Sequence, residues 1–285
     1  ECMTDLLLED PGLGEETMDN KQESTLIEIM VSAIKQVALG EPPVGRGSNR
    51  QKTLSAKEIK QVQDDKHKLT EHFIQTLPYL LEKYSADNDK LINLLCIPQH
   101  FDLEMYTTLR QESSLKSLLE KITLIFSIGT DREVLEACAK TLEFLCTEGS
   151  AIYTQCDVAR SNIIDESVNR YKEAIDDWRN LIAGEEDPDA DEIHQVYISL
   201  KKVAILYSCH NLNPWSLFAS LFQDIEEYLN EGSNHEKSIP TEAFIFCIES
   251  CFFSISWGIA SLESSFESSA LEFTAKELRR HLDKF

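Results

Sequence analysis

Apolar side chains recur every three or four residues along almost the whole chain, in long segments parted by short polar breaks. In Glu23–Leu39, the residues Leu26, Ile29, Met30, Ala33, Ile34 and Val37 share one face of a helix, as a period of 3.6 requires. Gly40 and Pro42-Pro43 end that segment, because glycine accepts the left-handed cap and proline cannot continue a helix. A longer helix follows to Tyr84. Ser55 and Glu58 form a capping box at its start, and Pro78 in its interior should kink it. Further helices are predicted over Asp87–Leu95, Leu103–Leu109, Ser114–Ser127, Asp131–Cys146, Val158–Ile182, Asp191–Cys209, Trp215–Asn230 and Thr241–Ala260. With 10 Gly and 8 Pro in 285 residues, turn residues are too scarce for many short strands. The fold class is therefore all-α. No single helix hairpin buries its apolar face alone, and stacking antiparallel pairs into an α-solenoid gives them a shared core. An irregular helical domain is the other arrangement this periodicity allows.

The chain reads as one continuous helical-repeat segment, 1–285, interrupted by an acidic loop at 9–22, a basic loop at 40–54 and an acidic loop at 183–190. The first residues already look helical without an initiator Met, and the last stop without a cap, so both ends are expected to continue into something longer. The eight cysteines include Cys138, Cys146, Cys247 and Cys251 inside helical apolar runs, and there is no CxxC pair and no glycosylation sequon. This pattern points to free thiols in a reducing compartment. No stretch reaches about 18 uninterrupted apolar residues, so no membrane span is expected.

Motifs that would carry chemistry fail on inspection. Asp187, Asp189 and Asp191 open like a calcium loop, but the turn position holds Glu192 instead of Gly, and the bidentate position holds Ile198. Asp191 is instead expected to cap the helix that follows. Gly45-Arg46-Gly47 has no preceding strand, so it is no dinucleotide fingerprint. His67 and His72 miss the spacing of a zinc helix, and no serine or cysteine sits in a nucleophile signature. No catalytic residue, cofactor or metal is assigned.

Charge carries more information. The formal net charge is -23, a field that repels nucleic acid and anionic membrane. Against it, Arg46, Arg50, Lys52, Lys57 and Lys60 stand with Glu58 as the one acid among them. Such a local reversal of sign is either a footprint for an anionic partner or a solvated loop. Trp215, Phe218 and Trp257, with Trp178 and Phe222, are candidates for the core or for a groove that grips an extended peptide. For Trp215, the apolar run through Leu217, Phe218 and Leu221 favours the core.

Several stretches resemble one family in collinear order. They are Thr25-Leu26-Ile27-Glu28-Ile29-Met30-Val31, Pro42-Pro43-Val44-Gly45-Arg46-Gly47, Lys68-Leu69-Thr70-Glu71-His72-Phe73-Ile74 and Lys83-Tyr84-Ser85-Ala86-Asp87. Pro98-Gln99-His100-Phe101-Asp102-Leu103-Glu104, Val134-Leu135-Glu136-Ala137-Cys138, Asp157-Val158-Ala159-Arg160-Ser161, His210-Asn211-Leu212 and Trp215-Ser216-Leu217-Phe218 continue the series. Together they are similar to the stromal antigen (stromalin) subunits of cohesin, over about residues 1–258, with a helical tail at 260–285 outside the match. The resemblance implies an internal HEAT-repeat segment of a longer superhelix and a non-enzymatic scaffold. It also implies nuclear, chromosomal and centromeric location and a role in sister-chromatid cohesion, chromosome segregation and the mitotic or meiotic cell cycle. The implied partners are the kleisin subunit and, through it, the SMC subunits. DNA would be held by weak sequence-independent contacts, and cohesin regulators would bind mostly upstream of residue 1. A generic adaptor solenoid without a DNA role is the rival reading.

Overall fold

The computed structural model describes residues 1–9, 17–40, 55–185, 187–230, 238–264, 276 and 279–280. Among these residues every regular element is a helix. The chain divides into two compact units, Glu1–Arg160 and Ser161–Phe285. Arg46, Arg50 and Lys52 lie outside the described residues, as do much of the 9–22 and 40–54 loops and most of the 260–285 tail.

The first unit holds α1 (Cys2–Leu8), α2 (Asn20–Leu39), α3 (Ala56–Lys83), α4 (Asn88–Leu95), α5 (Met105–Thr108), α6 (Glu112–Ile128) and α7 (Arg132–Leu145), with a 3-10 turn at Ile97–His100. Helix α3 packs against α2 and α6, and α4 packs against α2 and α7. Ile27, Leu77, Leu80, Leu94, Leu115, Ile122 and Leu142 are fully buried there. Helix α8 (Tyr153–Ala183) crosses from the first unit into the second. The second unit continues with α9 (Ala190–Cys209), α10 (Phe218–Asn230) and α11 (Thr241–Ser264), and α11 packs against both α9 and α10.

Local chemistry explains the boundaries. Ser55 and Glu58 form the reciprocal capping box read from the sequence. Asp87 and Asp131 cap α4 and α7 by accepting the backbone N–H groups of Lys90 and Val134. Helix α2 starts at Asn20, earlier than expected, because Asp19 and Gln22 make a second capping box. Gly40 ends it in the left-handed conformation, φ 65°. Helix α3 runs unbroken through Pro78, whose ring is buried.

Three expectations need correcting. The cap of α9 is Asp189, not Asp191: Asp189 is extended, its carboxylate accepts from the backbone N–H groups of Asp191 and Glu192, and its own backbone N–H donates to the Glu192 carboxylate. Trp215 does not open α10. Asn213–Trp215 form a 3-10 turn, Ser216 turns left-handed at φ 56°, and α10 starts at Phe218. The short helix near Leu103–Leu109 contracts to Met105–Thr108.

Helix α11 contains a stretch, Thr241–Leu262, that is long and apolar enough by composition to cross a membrane. Counting uninterrupted apolar runs overlooked it because Glu242 and Glu249 break the run. One of its faces is committed to the fold: Ala243, Phe246, Cys247, Ser250, Cys251 and Ser254 are buried. Phe246 meets Tyr197 of α9 edge-on at 5.4 Å, and Phe244 stacks on Tyr228 of α10 at 4.0 Å.

Candidate functional site

The basic stretch enters the described structure at Ser55. Lys57 and Lys60 stand one turn apart on the exposed start of α3, and neither makes an ion pair with a described residue. A helix N-terminus carrying free cations suits a phosphate backbone, through its N–H groups and through charge.

The three aromatic candidates do not form one open groove. Phe218 is 3% exposed and stacks on Phe222 at 5.7 Å inside the second unit. Trp215 and Trp257 are half-buried, and each indole N–H is engaged within the protein. Trp215 donates to Asp165 Oδ1 of α8 at 2.6 Å, and Trp257 donates to the carbonyl of Tyr207 at 2.7 Å. Asn213 ties this corner together: it accepts from the Tyr207 and Ser254 hydroxyls and donates to the Ser254 carbonyl. Trp215 thus serves as a tether at a helix junction, with part of its ring facing solvent.

Two buried charge networks escaped the sequence reading. Lys90, only 2% exposed, bonds Asp87 at 2.7 Å, lies 3.3 Å from Glu23, bonds Asn20 and sits 5.1 Å from the centroid of the Tyr84 ring. Burial opposes its charge, but hydrogen bonds to Asp87 and Glu23 outweigh it and leave the ammonium pKa raised. In the second unit, Asp224 is 1% exposed and accepts from Tyr171 at 3.0 Å and Arg179 at 2.7 Å. Desolvation outweighs both partners and lifts its pKa to about 6. Both networks bind helices together rather than presenting groups to a substrate.

The cysteines are free thiols, six of them buried. Burial pushes Cys146 up to about 11 and Cys156 and Cys251 up to about 12, the opposite of an activated nucleophile. His67 bonds Asp102 at 2.9 Å and His72 meets the Thr4 hydroxyl at 2.7 Å, contacts that join α3 to its neighbours. Among the described residues no group of three or more His, Cys, Asp or Glu side chains could hold a metal ion.

Comparison with known sequences decides the family. The profile described as cohesin subunit SCC3/SA, HEAT-repeats domain, matches residues 1–257. The chain belongs to the cohesin SCC3/SA family. The cohesin subunit SA-1 of Xenopus laevis is 42% identical over 262 residues, 92% of this chain and 20% of the relative. The human cohesin subunit SA-3 is 35% identical over 266 residues, 93% of this chain and 20% of the relative. The sister-chromatid cohesion protein 3 of Arabidopsis thaliana is 24% identical over 264 residues, 92% of this chain and 22% of the relative. The chain therefore spans about a fifth of the length of these SCC3/SA relatives. Its fold class is that of a HEAT-repeat α-solenoid, and the profile ends at residue 257, three residues before the tail marked out from the sequence.

Proposed function

We propose that this SCC3/SA chain is a non-enzymatic scaffold segment of cohesin that binds the kleisin subunit and helps hold the complex on chromosomal DNA in the nucleus. The observation that carries the reading is the collinear family match over residues 1–257. The chemistry is consistent with it: the buried cysteines are held as thiols, His67 and His72 make structural contacts, and the charges of Lys90 and Asp224 are consumed in helix packing. Through the kleisin the segment joins the SMC subunits, and cohesin regulators act mostly through parts upstream of residue 1. The half-exposed rings of Trp215 and Trp257 are candidate rim contacts for the kleisin segment.

Co-purification of the full chain with a central kleisin peptide tests this reading. A stoichiometric complex that survives gel filtration is expected, and no retention overturns it in favour of an unrelated adaptor. For DNA, Arg46, Arg50, Lys52, Lys57 and Lys60 are the proposed contacts. Engagement of about three to five phosphates gives a log–log salt slope of about -3 to -4.5. Within the kleisin complex, changing Arg46, Arg50 and Lys52 to Glu should flatten that slope and leave kleisin binding intact. Unchanged DNA binding by the triple variant makes the stretch a solvated loop.

A further inference from the structure

Helix α11 buries one face and leaves another bare. Ile245, Phe252 and Ile259 are 49%, 60% and 45% exposed, and the half-buried Ile248, Ile255 and Leu262 lie between and beyond them. Steps of three and four residues put all six on one stripe, turned away from the buried Ala243, Phe246, Cys247, Ser250 and Ser254. Between Ile245 and Leu262 no charged residue occupies that stripe. An apolar band of this kind calls for an apolar partner.

The chain itself carries a segment that fits. Residues 265–285 follow α11 directly, in the same compact unit. Within them, Ser269 with Glu272 three residues on is a capping-box pair. Leu271, Ala275, Leu278, Leu282 and Phe285 then recur at steps of four, three, four and three, as one face of a helix does. Phe273 alone of the large apolar residues after Ser269 falls outside that face. Lys276, Arg279 and Arg280 point away from it by the same periodicity, and the structure describes these three as helical and exposed. Ser265 to Ser269 separate the end of α11 from the new helix start, a connection within the roughly two to five residues that join antiparallel helix pairs.

The two patterns also share a register. From Ile248 the α11 stripe runs through Phe252, Ile255 and Ile259 to Leu262 at steps of four, three, four and three, the steps of the tail. Each band is therefore about 21 Å long on a helix. Laid antiparallel, Leu271 falls opposite Leu262, Ala275 opposite Ile259, Leu278 opposite Ile255, Leu282 opposite Phe252 and Phe285 opposite Ile248. A second copy competes poorly for the stripe, because a short connection holds the tail at an effective concentration on the order of millimolar. The family match ends at residue 257, so the pairing rests on this chain's own residues.

We propose that residues 270–285 form a helix that folds back antiparallel on α11 and covers its bare stripe, with Lys276, Arg279 and Arg280 turned to solvent. The docked tail withdraws the stripe from other partners. It is independent of kleisin and DNA binding.

The test uses the full chain with p-benzoylphenylalanine in place of Phe252, an exposed position, in a mixture of 15N-labelled and unlabelled chains. Irradiation should join position 252 to the tryptic peptide His281–Lys284 of the same chain. Leu278→Asp with Leu282→Asp should abolish that link. The reciprocal change, Phe252→Asp with Ile259→Asp, alters exposed positions of α11 and spares its packed face. It should speed amide hydrogen exchange in residues 271–284 by about tenfold or more and leave the exchange of α9 and α10 unchanged. Links only between heavy and light chains assign the stripe to a second copy, and no link to the tail assigns it to another partner. A link that survives Leu278→Asp with Leu282→Asp, or tail exchange unmoved by Phe252→Asp with Ile259→Asp, shows a tail that does not dock. Each of these results overturns the proposal.

Discussion

Asp224 makes the pH dependence of the second unit testable. Its carboxyl is lifted from 3.8 to about 6 because burial disfavours the charged form more than Arg179 and Tyr171 favour it. A folded value above the unfolded one gives stability that is fully present below about 3.8 and lost as pH rises through about 6. A shift of about two units is worth about 3 kcal/mol in full. The sequence pI of about 4.6 makes precipitation a hazard in acid, so the useful window runs from about pH 5 to 7.5. Across it the single-site linkage gives about 1.4 kcal/mol, roughly half of the whole. The perturbation is Asp224→Asn, which keeps an acceptor for Tyr171 and cannot titrate. Trp178, Trp215 and Trp257, the chain's three tryptophans, all lie in the second unit, so intrinsic fluorescence in a urea titration reports on that unit alone. The stability of the parent relative to the variant should rise by about 1.4 kcal/mol as pH falls from about 7.5 to 5. A flat difference shows that Arg179 compensates the burial fully, and a difference of opposite slope shows that it overcompensates; either refutes the reasoning.

Other expectations follow from the same contacts. Lys90→Met leaves Glu23 and Asp87 without their cation and should destabilise the first unit by about 3 kcal/mol in urea unfolding followed by far-UV circular dichroism, and a loss under about 0.5 would demote the network. The network's contribution is present below the ordinary lysine pKa and lost as pH rises through the raised Lys90 value. At the acid end the contribution of Asp87, whose pKa Lys90 holds low, is lost as pH falls through its folded value. Leu142→Ala, at a fully buried position of α7, should cost about 3 kcal/mol in the same assay. Trp215→Phe keeps the ring and removes the bond to Asp165, so a loss of about 1.5–3 kcal/mol in thermal or urea unfolding is expected; an unchanged midpoint would show that the tether carries no stability.

Most of the helices were legible because their signals are local. The Ser55–Glu58 box, the caps at Asp87 and Asp131 and the stop at Gly40 each need only neighbouring residues. The cap of α9 was legible too and was misassigned: Asp189 has Glu192 three residues on, as a capping box requires, whereas Asp191 has His194. The fate of Trp215 was harder to read. Its apolar neighbours continue a helical stripe, but Pro214 favours a turn start and Ser216 takes the left-handed conformation, so the stripe breaks before α10 begins. Lys90 and Asp224 follow the periodicity into the core, where charged residues are rare without partners. Their partners Glu23 and Arg179 lie far off in sequence, and no local rule links them.

Charge is segregated by sign along the chain. From Arg46 to Lys60 there are five cations and one acid, and from Asp176 to Glu192 there are eight acids and one cation, Arg179. That one cation is spent inside the fold on Asp224, so it cannot neutralise Asp177. The cations of α3 are likewise unpaired with any described residue at Lys57 and Lys60. If these charges served solubility alone, mixing the signs on each face would do as well, because interspersed charge also keeps a surface hydrated. Separation instead leaves two local fields of opposite sign, and screening confines the reach of each to roughly 8 Å at physiological salt. The DNA contact should therefore answer to one cluster alone: charge reversal at Arg46, Arg50 and Lys52 should flatten the DNA salt slope, and neutralising Asp177 and Asp191 should leave it intact.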